Sequence, residues 1–215
     1  VESNNNANML FVDGGNDAVG IGTSSPSALI HGMSGDLFLT ANSTSANSGQ
    51  GVFFQSTTSG WDTASAHAAI YGKRTDASNG YLRFDTRQSG TTAEAMRIDS
   101  SGNLLVGTTS ADPAGTSTNV VGTAIGAAGY LSMSRDAATV AFFNRKTSDG
   151  SIIDIRKDGA VVGNIGVVNS NNLRIGGTAA NHAGIQFGTN ILFPETAGGA
   201  TDGLVDIGNA ANRFK

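Results

Sequence analysis

The chain has 215 residues, a net charge of −4, thirteen Lys and Arg, 30 Gly and no Cys. Scattered basic residues on an acidic balance exclude the stripe that nucleic-acid binding needs, the lack of thiols excludes a disulfide framework or thiolate metal site, and apolar runs of a few residues exclude a membrane-spanning helix. Leu, Ile, Val and Phe amount to roughly a fifth of the residues, near the level below which a chain stops forming its own core. Charged residues are sparse at 14%, so the expectation is a chain that buries its surface against other chains.

Short alternating or apolar runs, punctuated by Gly, Asn, Asp and Ser, predict an all-β fold. In chain order the predicted strands are Met9–Val12, Ala18–Ile21, Asp36–Thr40, Gly51–Ser56, Ala68–Gly72, Gly80–Thr86, Ala95–Asp99 and Asn103–Gly107. The second half supplies Tyr130–Ser134, Val140–Asn144, Ser151–Lys157, Ala160–Val168, Asn172–Ile175, Gly184–Phe187, Ile191–Phe193 and Leu204–Ile207. Hairpin turns are expected at Asp13-Gly14-Gly15-Asn16-Asp17, Ser101-Gly102-Asn103 and Lys157-Asp158-Gly159, whose residues tolerate positive φ. Only Ala64–Ala69 and Ala124–Ala128 are weak helix candidates.

The chain also repeats itself. Phe11-Val12-Asp13, a turn and Val19-Gly20-Ile21-Gly22-Thr23 read again as Arg97-Ile98-Asp99, a turn and Leu105-Val106-Gly107-Thr108. Leu37–Thr40 matches Leu131–Ser134, and Val52–Gly60 matches Ala141–Gly150. The expectation is two β modules, 1–110 and 111–215, the first with an aromatic-rich insertion at 51–95. Two-stranded hairpins are marginal in water, so modules stacked in series and wrapped with identical chains would bury the short apolar runs and remove exposed strand edges. An elongated, intertwined homotrimeric β fibre is the architecture this composition supports best.

Met96-Arg97-Ile98-Asp99-Ser100-Ser101-Gly102-Asn103-Leu104-Leu105-Val106-Gly107-Thr108 resembles an element that recurs in bacteriophage tail fibre proteins, of the type that carries a C-terminal endosialidase-type intramolecular chaperone. Val19–Pro26 resembles the same element, Arg145–Gly166 resembles a further stretch of these fibres, and Asp206–Lys215 resembles the segment that lies upstream of the chaperone. The resemblance implies a homotrimer and a β-rich shaft in the virion, at the phage tail and outside the cell. Its implied partners are other tail fibre or baseplate proteins and a host cell-surface glycan or protein. The chaperone pattern itself is absent, so no self-cleavage chemistry is carried over. Both ends read as internal, and a fragment of a longer fibre is expected.

Little in the sequence points to catalysis, and the expectation is a protein that is not an enzyme and holds no cofactor or metal. His31, His67 and His182 lie far apart with no nucleophile-elbow motif. One His per chain on a three-fold axis would offer three imidazoles to a metal, but packing or solvation is the plainer reading. Asp13 and Asp17 miss the spacing of a calcium loop, and no Gly-rich run has Walker or Rossmann spacing. A polysaccharide-degrading spike would need two carboxylates in a groove, whereas Glu occurs only at Glu2, Glu94 and Glu195 and most Asp fall in predicted turns. The best contact surface is Trp61–Arg87, where Trp61, Tyr71, Tyr81 and Arg83 could stack on and hydrogen-bond a glycan. Inter-chain packing of the same aromatics is the simpler account.

Overall fold

The computed structural model describes residues 10–15, 18–21, 24, 30–32, 45–54, 66–116, 120–196 and 199–200. They form an all-β chain, with no helix among the described residues. A first small sheet holds β1 (Phe11–Asp13), β2 (Ala18–Ile21) and β3 (Ile30–Gly32), in which β1 pairs antiparallel with β2 and β2 parallel with β3. The second is an antiparallel meander in strict chain order. It runs through β4 (Gly49–Phe54), β5 (Ala68–Arg74), β6 (Gly80–Gln88), β7 (Thr91–Ile98), β8 (Leu104–Val106), β9 (Gly122–Gly126) and β10 (Tyr130–Ser134). The third is another antiparallel meander, of β11 (Gly150–Lys157), β12 (Ala160–Val168), β13 (Asn172–Gly177), β14 (Ala183–Gly188), β15 (Ile191–Thr196) and β16 (Gly199–Ala200). Backbone contacts gather the chain into two compact units, Val1–Asp136 with the first two sheets and Ala137–Lys215 with the third.

Strands β2, β10 and β12 fall where the alternation predicts them. Three sequence expectations are corrected. Ala124–Ala128 is not helical: Ala124 lies in β9 opposite Leu105 and Ser132, fully buried, while Ile125 points to the other face. Packing on a pleated surface thereby overrides the helix preference of Ala. Likewise Ala68 and Ala69 open β5 rather than close a helix. Val140–Asn144 is irregular rather than a strand, with the Phe142 side chain 82% exposed. Among the described residues no neighbouring strand supplies the ladder bonds that an extended segment requires. The predicted strands Asp36–Thr40 and Leu204–Ile207 lie outside the described residues, and β3 was not foreseen.

The two meanders share an unusual polarity. In the second sheet, cross-strand register places Val52, Ile70, Phe84, Met96, Val106, Thr123 and Met133 in one row, with Leu82, Ile98, Leu104, Ile125 and Leu131 in the next row on the same face. Many of these are well exposed, Leu131 by 57%. The opposite face carries the row Gly51, Tyr71, Arg83, Arg97, Leu105, Ala124 and Ser132, and it is the better covered one. In the third sheet, Ile153, Ile165, Ile175, Ile185 and Pro194 form one row, and Val167, Leu173, Phe187 and Leu192 the next. None of these is buried and most are exposed, Leu192 by 62%, whereas Asn164, Arg174, Gln186 and Glu195 on the other face are buried. Side chains alternate between faces in a strand, so a normal one-sided sheet buries its apolar set. Both meanders do the reverse.

The interior is correspondingly thin. Among the described residues the buried apolar side chains are Ala18, Ala66, Ala69, Tyr71, Leu105 and Ala124, all in the first unit. No large apolar side chain of the third sheet is buried.

Candidate functional site

Of the four residues named for a contact surface, Tyr71, Tyr81 and Arg83 share one face of the second sheet. Tyr71 and Lys73 sit on β5, and Tyr81, Arg83 and Asp85 on β6, two residues apart along each strand and therefore on one face. Register brings Tyr71 opposite Arg83 and Lys73 opposite Tyr81. The Tyr71 ring lies over Gly51, where an added Cβ would come within 2.6 Å of it, and it meets the Phe53 ring edge-on at 5.2 Å. Its π system also attracts two cations, the Lys73 Nζ at 4.7 Å and the Arg83 guanidinium at 4.8 Å from the ring centroid. Tyr71 is only 7% exposed. Tyr81 is half-buried under the Arg97 guanidinium at 4.5 Å, and its hydroxyl donates to Asn47 Oδ1 at 3.2 Å. Trp61 lies outside the described residues.

Three further residues join this face that the sequence did not single out. Asp85 is buried and accepts from Arg83 Nη2 at 2.6 Å. Glu94 takes a two-pronged bond from Arg97, although residues three apart in a regular strand face opposite ways. A β-bulge reconciles the two observations. Phe84 pairs with Met96 but Asp85 with Glu94, so Ala95 is the extra residue, and it turns Glu94 onto the Arg97 side. The bonds it donates to Glu94 hold the Arg97 proton more firmly than usual, against the opposing cost of burial. Arg83 and Arg97 each face a carboxylate, while Lys73 Nζ donates to the Asn47 carbonyl at 3.3 Å, which makes the face a ladder of ion pairs and cation–aromatic stacks.

A second polar cluster, in the third sheet, is more deeply covered. Glu195 on β15 is fully buried; its Oε1 accepts from Arg174 Nε at 2.9 Å and Nη2 at 2.6 Å, and its Oε2 from Gln186 Nε2 at 2.8 Å. Arg174 Nη1 donates to Asn164 Oδ1 at 2.5 Å. Space for the carboxylate comes from Gly176 and Gly184, cross-strand neighbours at which any Cβ would stand 2.6 Å from Glu195 Oε1. The signal for this cluster was present as Leu173-Arg174-Ile175 and Ile185-Gln186-Phe187, one long polar residue between apolar ones on adjacent strands. Read by alternation alone, those polar side chains belong outside.

Neither cluster assembles a metal site, and among the described residues no three His, Cys, Asp or Glu side chains gather. His67 and His182 are exposed, at different places in the two units. The clusters position backbone and pair charge. No family model matches the chain, and neither a curated protein nor a solved structure does. The likeness to tail fibre elements therefore rests on the motifs of the sequence itself.

Proposed function

We propose that this chain is a structural segment of a homotrimeric bacteriophage tail fibre. It stands in the virion outside the cell, connects to other tail fibre or baseplate proteins, and projects or forms the apparatus that meets a host surface glycan or protein. The observation that carries the reading is the reversed polarity of both meanders, with apolar rows outward and charged side chains inward. A monomer has no use for such faces, because exposed apolar area is unfavourable at about 25 cal/mol per Å2. A fibre of wrapped copies gains from every one of them.

The repeated tail-fibre motif supports the same reading at the local level. Both copies lie in an antiparallel hairpin, β1–β2 and β7–β8. In both, an aspartate closes the turn: Asp13 Oδ1 accepts the Gly15 N–H at 2.9 Å and Asp99 Oδ1 the Ser101 N–H at 2.9 Å. Sedimentation tests the proposal. The expected particle has three times the 21.7 kDa chain mass and the high frictional ratio of a rod. A compact particle of one chain mass would overturn it.

A further inference from the structure

The geometry points to the apolar faces of the two meanders as the surfaces on which further copies of this same chain pack, with the charged faces turned away from the contact. This rests on the homotrimer reading and adds to it which side of each sheet is the interface. Half-exposed side chains of this class sum to on the order of 500 Å2 on each face, already at the upper end of the about 300–600 Å2 that a monomer exposes. The two faces together exceed the about 800 Å2 per partner of a stable complex.

The chemistry of the rows selects the partner. They hold no charged residue and, apart from Thr123, no polar side chain, so they offer little to a glycan hydroxyl or a phosphate beyond their backbone. On the third sheet Ile165, Ile175 and Ile185 stand directly opposite one another across consecutive strands. They make a ridge of like side chains at strand spacing, beside a groove of about 700 Å3 lined by Ile155, Gly163, Ile175, Ile185 and Leu192. A ridge flanked by a groove can seat a ridge of its own copy, and two such faces pack at the usual sheet-on-sheet distance of about 10 Å. Arg174, Glu195 and Gln186 on the opposite face are already bonded to one another, so burying that side gains nothing comparable.

The absence of native cysteine makes the test direct. Single variants Ile125→Cys and Leu192→Cys place a thiol on each apolar face, and Lys157→Cys places one on an exposed turn. Each would be treated with a bulky maleimide, under native conditions and in denaturant, with the mass of every variant checked by light scattering. The expected result is a trimer in which the two face thiols react at least tenfold more slowly than the Lys157→Cys thiol, the difference vanishing in denaturant. Face thiols reacting at the control rate within a trimer would overturn this assignment and leave the trimer standing. A monomer with reactive face thiols would overturn both. A monomer with protected face thiols would show that one chain covers its own faces, and would overturn the assignment to a second copy.

Discussion

Single residues in this chain act by closing turns and by satisfying one another, and Asp99 shows how. Its Oδ1 accepts the Ser101 and Asn103 N–H groups at 2.9 Å, and its Oδ2 the Asn103 side-chain amide at 2.9 Å. Burial alone raises the carboxyl pKa. The bonds from the Asn103 side chain, the Asn103 and Ser101 backbone and the charge of Arg97 together outweigh it, so the pKa lies below its ordinary value. A carboxyl depressed in the folded state contributes stability above its unfolded pKa and loses it as pH falls through the folded value. The hairpin should therefore weaken below about pH 4. Asp99→Asn keeps one oxygen for the turn N–H groups but cannot titrate. Comparing urea midpoints near neutrality and in acid, the native chain should lose up to about 1 kcal/mol more than the variant. Equal losses would show that Asp99 stays bonded when protonated.

At the scale of the element, the alternation of side chains was legible and its direction was not. Ala160–Val168 reads as a strand because polar and small residues separate Val162, Ile165 and Val167, and it is one. Which face turns outward depends on what lies against it, and a single chain read alone does not hold that information. Val140–Asn144 failed for a related reason: Phe142 and Phe143 look like strand core, yet β propensity has no meaning without a neighbouring ladder. That Tyr81 and Arg83 share a face was legible in their spacing of two, and the register of β5 and β6 adds Tyr71 to it. Glu94 was not legible, because its orientation comes from the bulge at Ala95. That bulge can be tested. Deleting Ala95 restores regular pairing and leaves Glu94 two residues from Arg97 on the same face, so the pair should survive the loss of the bulge. The expected cost is about 1 kcal/mol or less in urea unfolding, whereas Glu94→Ala, which strips Arg97 of its carboxylate, should cost about 2 kcal/mol. Equal losses for the two variants would mean that the pair cannot form without the bulge.

Taken as a whole molecule, the chain carries its specificity inside and its adhesion outside. The Arg174–Glu195 pair is a costly way to fill an interior, because a buried ion pair barely repays its desolvation. It does fix the register of β13, β14 and β15: a slip of one residue would turn Arg174 and Gln186 to the apolar face and leave Glu195 buried without a partner. The outer rows lack such a device, and their stabilisation appears only when another surface covers them. Folding and association should then be one event rather than two. For a trimer unfolding to three chains, each tenfold rise in concentration stabilises the folded state by about 2.7 kcal/mol per trimer, twice the usual 1.4 per decade. Urea titrations across a hundredfold range of concentration should show the midpoint climbing by the equivalent of about 5.5 kcal/mol per trimer, with circular dichroism and light scattering changing together. A midpoint that ignores concentration would mean that each chain completes its fold alone, and that the apolar rows find their cover within it.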